Sequence, residues 1–309
     1  MDLNQLKTFV AVAETGNLTR ASEVLFLSQP AVSAQIKALE AELGVTLFNR
    51  NARGMTLTIA GNVLKQDALR ALNAAKHVVS RAQTFRSGLI GECNIGTISE
   101  PIMLHLGELL SMLMKTHPNL SMKLTQSISG IVVDQLLDGT LQGGYVIGNI
   151  DDVRIASITV RPVTLRIVAP YDWKERIAHA SWQDIAKLPW ISMPKKCSFS
   201  RITENMFSRH GLAPSCVVTV DQEGTLRKLV SSGIGLALMR EDVALDAEAK
   251  QELVIWPEGA ETTVLNFIYL HSEAGTPIVH ALRQGIHAVW QLPLDDDEAA
   301  HPLNLSDIG

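Results

Sequence analysis

The chain has 309 residues, a formal net charge of -5, 46% hydrophobic residues and three cysteines. That length is too great for one small module and predicts two or three domains with sizeable cores. No run approaches the ~18 apolar residues of a membrane-spanning helix, and the N-terminus lacks the basic start, apolar centre and small-residue cleavage site of an export signal. Cys93, Cys197 and Cys216 show neither paired nor metal-like spacing, which suits a reducing compartment and structural thiols, with a redox pair of Cys197 and Cys216 as the minor alternative. A cytoplasmic protein without membrane association or a metal is expected. Its charge is uneven: residues 1–88 carry ten Lys/Arg against six Asp/Glu, a net of +4, which leaves -9 for the rest. A polyanion-facing end on an acidic body fits that split.

The first segment, Leu3 to Glu14, puts Leu3, Leu6, Phe9, Val10 and Ala13 on one helical face, with Gly16 as the stop. Ala21, Val24 and Leu25 then recur at helical spacing, and after about three residues Leu27, Val32, Ile36 and Leu39 do so again. So short a connection makes the two helices pack across one another. Ser28 caps the second helix and Pro30 fits its first turn, where no internal bond needs the missing N–H. With the apolar positions inward, Gln29, Pro30, Ser33, Ala34 and Lys37 face outward. Small and hydrogen-bonding groups let a helix enter a DNA major groove ~12 Å wide. Gln29 and Ser33 are the candidate base readers and Lys37 a phosphate contact. Leu47-Phe48 and Met55 to Thr58 read as two short strands around a turn in which Gly54 takes positive φ, a wing with Arg50 and Arg53 at its tip.

Leu18 to Leu43, with Gly44-Val-Thr-Leu-Phe-Asn-Arg50 and Arg53-Gly-Met-Thr-Leu-Thr-Ile-Ala-Gly61, resembles the N-terminal domain of LysR-type transcriptional regulators almost position by position. The resemblance implies an all-α winged helix-turn-helix bound to double-stranded DNA through Ser28, Gln29, Pro30, Ser33, Lys37, Arg50 and Arg53. Two positions depart from the family pattern. Ser22 stands where a second alanine is usual, and Phe26 where a turn-friendly polar residue is common.

From Ile59 to about Ser87 there is no proline, and Leu64, Ala68, Leu72, Ala75, Val79 and Ala82 follow at spacings of four, four, three, four and three. This is a near-heptad seam on a helix of roughly 42 Å. It needs a cover, either its own chain or a second subunit. The resemblance implies the second: a homodimer through residues 59–88, with tetramers common among relatives.

Beyond Arg86-Ser-Gly-Leu-Ile-Gly91 the chain alternates short apolar runs with helical patterns, which reads as α/β. Strands are expected at Glu92–Thr97, Pro118–Thr125, Tyr145–Ile147, Val160–Ala169, Trp190–Met193, Ser215–Val220, Ile234–Met239 and Leu265–Leu270. Helices are expected after Pro101 and at Ile131–Leu137, Thr225–Ser232 and Pro277–Gln291. Two such halves crossed twice by the chain look like the family's periplasmic-binding-protein-like effector domain. The expected organisation is a DNA-binding domain (1–58), a linker helix (59–88), an effector domain (89–293) and an acidic tail (294–309). Within the effector domain, subdomain I is about 89–160 and 266–293, and subdomain II about 161–265.

Ligands of open α/β sheets bind beyond the carboxyl ends of strands, near free helix amides. The rule selects Thr97, Ser99 and Glu100, the loop Ser127 to Gly130 with Ser129, the loop Pro194 to Ser198 with Lys195 and Lys196, and Asp221 to Thr225 with Thr225. Each hydroxyl is equally explained as a helix cap. Lys195 and Lys196 favour a small carboxylate, whereas Glu100 opposes one. Gln142 stands where relatives carry aspartate. The nine histidines, His105, His117 and His210 among them, are scattered and suggest no triad or metal set. The competing readings are a solute-binding protein or enzyme using the same cleft, and a purely architectural DNA binder. A transcriptional regulator without cofactor, controlled by a small-molecule effector, is the function these residues support.

Overall fold

The computed structural model describes residues 1–51, 54–87, 89, 91–98 and 103–293. Arg53, Ser99, Glu100 and the tail 294–309 lie outside the described residues, and of Arg50 only the backbone is described. The chain divides into two compact units, residues 1–91 with 137–140, and 92–136 with the described part of 141–309.

In the first unit α1 (Leu3–Thr15), α2 (Leu18–Leu25) and α3 (Gln29–Leu43) precede the strands β1 (Phe48–Asn51) and β2 (Gly54–Leu57) and the helix α4 (Ile59–Ser87). Each early helix has a sequence-encoded start. Asp2 and Gln5 form a reciprocal capping box on α1, Asn17 accepts from the amides of Thr19 and Arg20, and Ser28 accepts from that of Ala31. Gly16 and Gly44 end α1 and α3 in the left-handed region. Phe9, Val12, Ala21, Val32, Ile36, Leu39 and Leu47 form the core, with Phe9 and Phe48 edge to face at 5.6 Å. Ser22 is buried in the helix crossing, its hydroxyl donating to the Thr19 carbonyl at 2.7 Å. The hairpin β1–β2 pairs Phe48 with Leu57 through Asn51 with Gly54. Gly54 has φ 129°, and a Cβ there would lie 2.5 Å from the Gly16 carbonyl oxygen, so only glycine lets the wing close on the end of α1.

Two expectations change. Leu3, Val24 and Leu27 are exposed, not core, because the inward arc of each short helix is filled by neighbours such as Leu6, Ala21 and Val32, and Leu27 falls in the turn between α2 and α3. The expected seam on α4 also divides. Leu64, Ala68 and Leu72 pack on the N-terminal unit's own core, whereas the seam residue Val79 is exposed, as are Val63 and Val78 outside the seam. The own-chain cover therefore holds for the first turns of the helix.

The second unit comprises β3 (Gly91–Thr97), α5 (Leu106–Thr116), β4 (Leu120–Gln126), α6 (Ser129–Leu137), β5 (Gly143–Ile147), β6 (Ile155–Pro170), α7 (Lys174–Ile177), α8 (Trp182–Ala186), β7 (Pro189–Ser192), α9 (Ser198–Ser208), β8 (Ser215–Thr219), α10 (Glu223–Ser231), β9 (Ala237–Arg240), α11 (Glu241–Ala249), β10 (Leu253–Leu270) and α12 (Pro277–Val289). Six strands form one mixed sheet in the order β4-β3-β5-β10-β6-β9. β7 and β8 pair in parallel separately, and Trp190 bridges to Leu236. The two chain crossings are themselves strands: β6 and β10 pair antiparallel from Leu253–Pro170 to Leu270–Ile155, with register shifts after Ile255 and Leu265. One core gathers Val132, Leu136, Leu141, Val146 and Ile268, and another Val168, Ile191, Leu226, Val230 and Met239. Gln142 is buried and exchanges two bonds with the Asn94 backbone, 2.8 and 2.9 Å. An uncharged amide there holds the middle of β3 without an ionised group in the core.

Candidate DNA interface and ligand cleft

The leading end of α3 carries Ser28, Gln29 and Pro30, all exposed, then Ser33 half-buried and Ala34 and Lys37 exposed, opposite the buried Val32, Ile36 and Leu39. Apolar anchoring on one side fixes the helix, so its small polar side is presented as a rigid edge. That is the requirement for direct readout of base edges by a helix in the major groove. The β1–β2 hairpin follows within five residues of the end of α3.

In the second unit a cavity of about 660 Å³ lies between the two cores. Ser127, Ser129 and Ile147 line one wall, and Cys197, Ser198 and Glu223 the other. Residues from the first turns of α6, α9 and α10 therefore meet at one space. The Ser129 hydroxyl accepts from the Ile147 amide at 3.2 Å and lies 3.3 Å from the Ser198 hydroxyl. Beside it the Gly130 amide donates to the Lys196 carbonyl at 2.9 Å. Neither Cys197 nor Gln222 caps its helix with a side chain. In α9 the Phe199 and Ser200 amides are nonetheless directed at the Cys197 sulfur, so it is the first turn of α10 that keeps amide hydrogens for a ligand, and helix N-termini favour negative charge.

The acid in this wall is compensated. Glu223 accepts from the Arg240 guanidinium at 2.6 Å, and Arg240, 4% exposed, also holds Asp242 at 3.0 and 3.1 Å. Burial works to raise the Asp242 carboxyl, but its bonds to Arg240 hold it below the usual carboxylate range. Burial pushes the Cys197 thiol up, which keeps it protonated and a poor nucleophile. Among the described residues no cluster of three or more His, Cys, Asp or Glu could hold a metal, and no helix is long and apolar enough to cross a membrane.

The family description for bacterial regulatory helix-turn-helix proteins of the lysR family matches residues 3–62, and that for the LysR substrate binding domain matches residues 86–291. The chain belongs to the LysR family of transcriptional regulators. It is 30% identical to the HTH-type transcriptional regulator ClcR of Pseudomonas putida over 285 residues, 88% of this chain and 93% of the relative. It is 29% identical to BenM of Acinetobacter baylyi over 77% and 80% of the two chains. The crystal structure of CbnR, a LysR family transcriptional regulator, shares the fold with a TM-score of 0.63 at 24% identity, covering 93% of this chain and 99% of that one. CbnR in complex with its target DNA matches at 0.61, with the same identity and coverage. This LysR regulator is therefore a DNA-binding transcriptional regulator with a small-molecule effector domain, and the enzyme alternative falls with the family assignment.

Of the residues selected from the regulator's sequence for the cleft, Ser129 lines the cavity. Thr97 is buried beneath it, its carbonyl accepting from the Ser127 amide at 2.8 Å. Lys195 and Thr225 are exposed and do not line it. The Lys196 ammonium turns outward to Asp134 on α6. Ser198 and Glu223 lie in the loops that the strand-end rule selected, but they are the residues that face inward. Their signal was the first-turn position in α9 and α10, and α9 is itself marked by Phe199, Ile202, Met206 and Phe207 at helical spacing, a pattern the sequence reading passed over.

Proposed function

We propose that Ser28, Gln29, Pro30 and Ser33 read operator bases in the major groove, that Lys37 contacts phosphate, and that Arg50 and Arg53 of the wing reach the backbone or adjacent minor groove. The carrying observation is the exposed small polar edge of α3 opposite a fully buried apolar one. A nuclease footprint of the purified regulator on the DNA upstream of its own gene tests it. Protection with half-sites separated by about one helical turn is expected; equal binding to random duplex at moderate salt overturns it. The expected boundaries at 58, 88 and 293 and a cytoplasmic location belong to the same proposal.

For the effector we infer a small carboxylate held by Ser129, Ser198 and the first-turn amides of α10. The uncapped start of α10 and the neutralisation of Glu223 by Arg240 support it, and these groups replace Lys195, Lys196 and Thr225 as the anion's partners. The further candidates Ser99 and Glu100 lie outside the described residues. Thermal stabilisation by a panel of small carboxylates, set against their primary amides, tests the charge requirement. Equal stabilisation by both members of each pair refutes it. Homodimerisation through residues 59–88, and tetramers built from it, is supported by the exposed Val78 and Val79 beyond the part of α4 that its own unit covers.

A further inference from the structure

Phe26 occupies the turn between α2 and α3 with φ 54° and ψ 40°, and it is 95% exposed. Phe9 and Phe48 of the same unit are buried against each other. A left-handed backbone brings the Cβ of an L-residue against the next carbonyl, so glycine, asparagine and aspartate are the usual occupants, and a bulky residue there is an outlier. The conformation is imposed by the turn. The Phe26 amide donates to the Glu23 carbonyl at 3.2 Å and the Leu27 amide to the Ser22 carbonyl at 3.0 Å, closing the end of α2. An aromatic therefore stands where backbone and solvation both disfavour it, and the fold gains almost no burial from it. A costly conformation that returns nothing to packing points to a use outside the folded chain.

The position narrows that use. Phe26 precedes the cap residue Ser28 by two residues, so the two Cα atoms are within about 7 Å. If α3 enters a groove ~12 Å wide, a side chain at that distance from its inserted end stands against the wall of the groove, which is the sugar-phosphate strand. We infer that Phe26 packs its ring on the deoxyribose of that strand and fixes how α3 docks; this rests on the assignment of α3 as the groove reader. The apolar face of the sugar, not the phosphate, is the matching surface for a phenyl ring. Such a contact positions the protein without reading sequence and adds nothing to counterion release.

The test uses the full-length regulator and its Phe26→Asn and Phe26→Leu variants on two duplexes, the footprinted region and a scrambled one of equal length. Asparagine tolerates the backbone, so the thermal midpoint should be unchanged or higher. Kd should rise about tenfold on both duplexes for Phe26→Asn and less for Phe26→Leu, with the slope of log Kd against log salt unchanged. Unchanged affinity in Phe26→Asn overturns the inference. So does a loss confined to the footprinted duplex, a changed oligomeric state by light scattering, or intact binding with lost transcription activation, which would assign Phe26 to a protein partner. Failure of the wild type itself to prefer the footprinted duplex would instead strike the groove-reader assignment.

Discussion

Gly130 and Gly224 are each the second residue of a helix whose first turn lines the same cavity, α6 and α10, yet alanine should act in opposite directions at the two. At Gly224 a Cβ meets nothing within 4 Å. Alanine there recovers helix propensity and reduces unfolded-state freedom, a gain of about 0.5–1 kcal/mol. At Gly130 the Cβ would lie 2.4 Å from the Lys196 carbonyl oxygen, a main-chain atom that cannot rotate away. Restoring even 3.0 Å means moving the 194–197 loop by about 0.6 Å or more. That displacement stretches the 2.9 Å bond from the Gly130 amide to the same oxygen. Losing it costs about 1 kcal/mol, and the forced shift adds roughly 1–3 kcal/mol. Net of the propensity gain, Gly130→Ala should destabilise by about 1–3 kcal/mol. All five tryptophans, at 173, 182, 190, 256 and 290, belong to the second unit, so urea unfolding followed by tryptophan emission reports on it alone. Changes of the same sign at the two glycines would refute the reasoning.

Burial pushes the Cys93 thiol up to about 12, whereas the unfolded thiol ionises near 9. The unfolded state thus releases a proton first as pH rises, so stability is full below about pH 9 and falls towards pH 12. Between pH 9 and 10.5 the wild type should lose about 2 kcal/mol more than Cys93→Ala in urea titrations; parallel pH profiles would contradict this. Lys37→Ala should weaken binding to specific and random duplex alike and lower the salt slope by about 1, read by fluorescence anisotropy across 50–200 mM salt. A loss restricted to one base position would make Lys37 a base reader. Glutamate at Val78 and Val79 should shift the regulator towards monomer in light scattering while leaving the circular dichroism of its helices intact. An unchanged assembly would place the subunit contact elsewhere.

The DNA-binding end is legible because its signals are local. Caps, stops and the apolar spacing of α1 to α3 are set by residues three or four apart, and Asp2, Asn17, Ser28, Gly16 and Gly44 mark the ends that the structure shows. What sequence pattern missed there is competition for the interior. Val24 keeps helical spacing with the core residues, but a two-turn helix buries only a narrow arc, and Leu27 falls in the turn between α2 and α3 instead of on a helix. Leu64, Ala68 and Leu72 form a seam on paper, and in three dimensions the neighbouring core is close enough to take it.

The cleft is less legible because its parts come from three separate loops. The strand-end rule finds the right loops, since it depends on topology alone. Which side chain of each loop turns inward depends on contacts more than 60 residues away. Ser129 meets Ser198 across 69 positions, and Lys196 is drawn out of the cavity by Asp134 across 62. The charge of the site is non-local in the same way: Glu223, which the sequence reading did not single out, would oppose an anion, and the buried Arg240, seventeen residues on and carried by the next strand, neutralises it. A carboxylate in this cavity is thus favoured by the start of α10 and a hidden cation, and the visible lysine pair contributes surface charge.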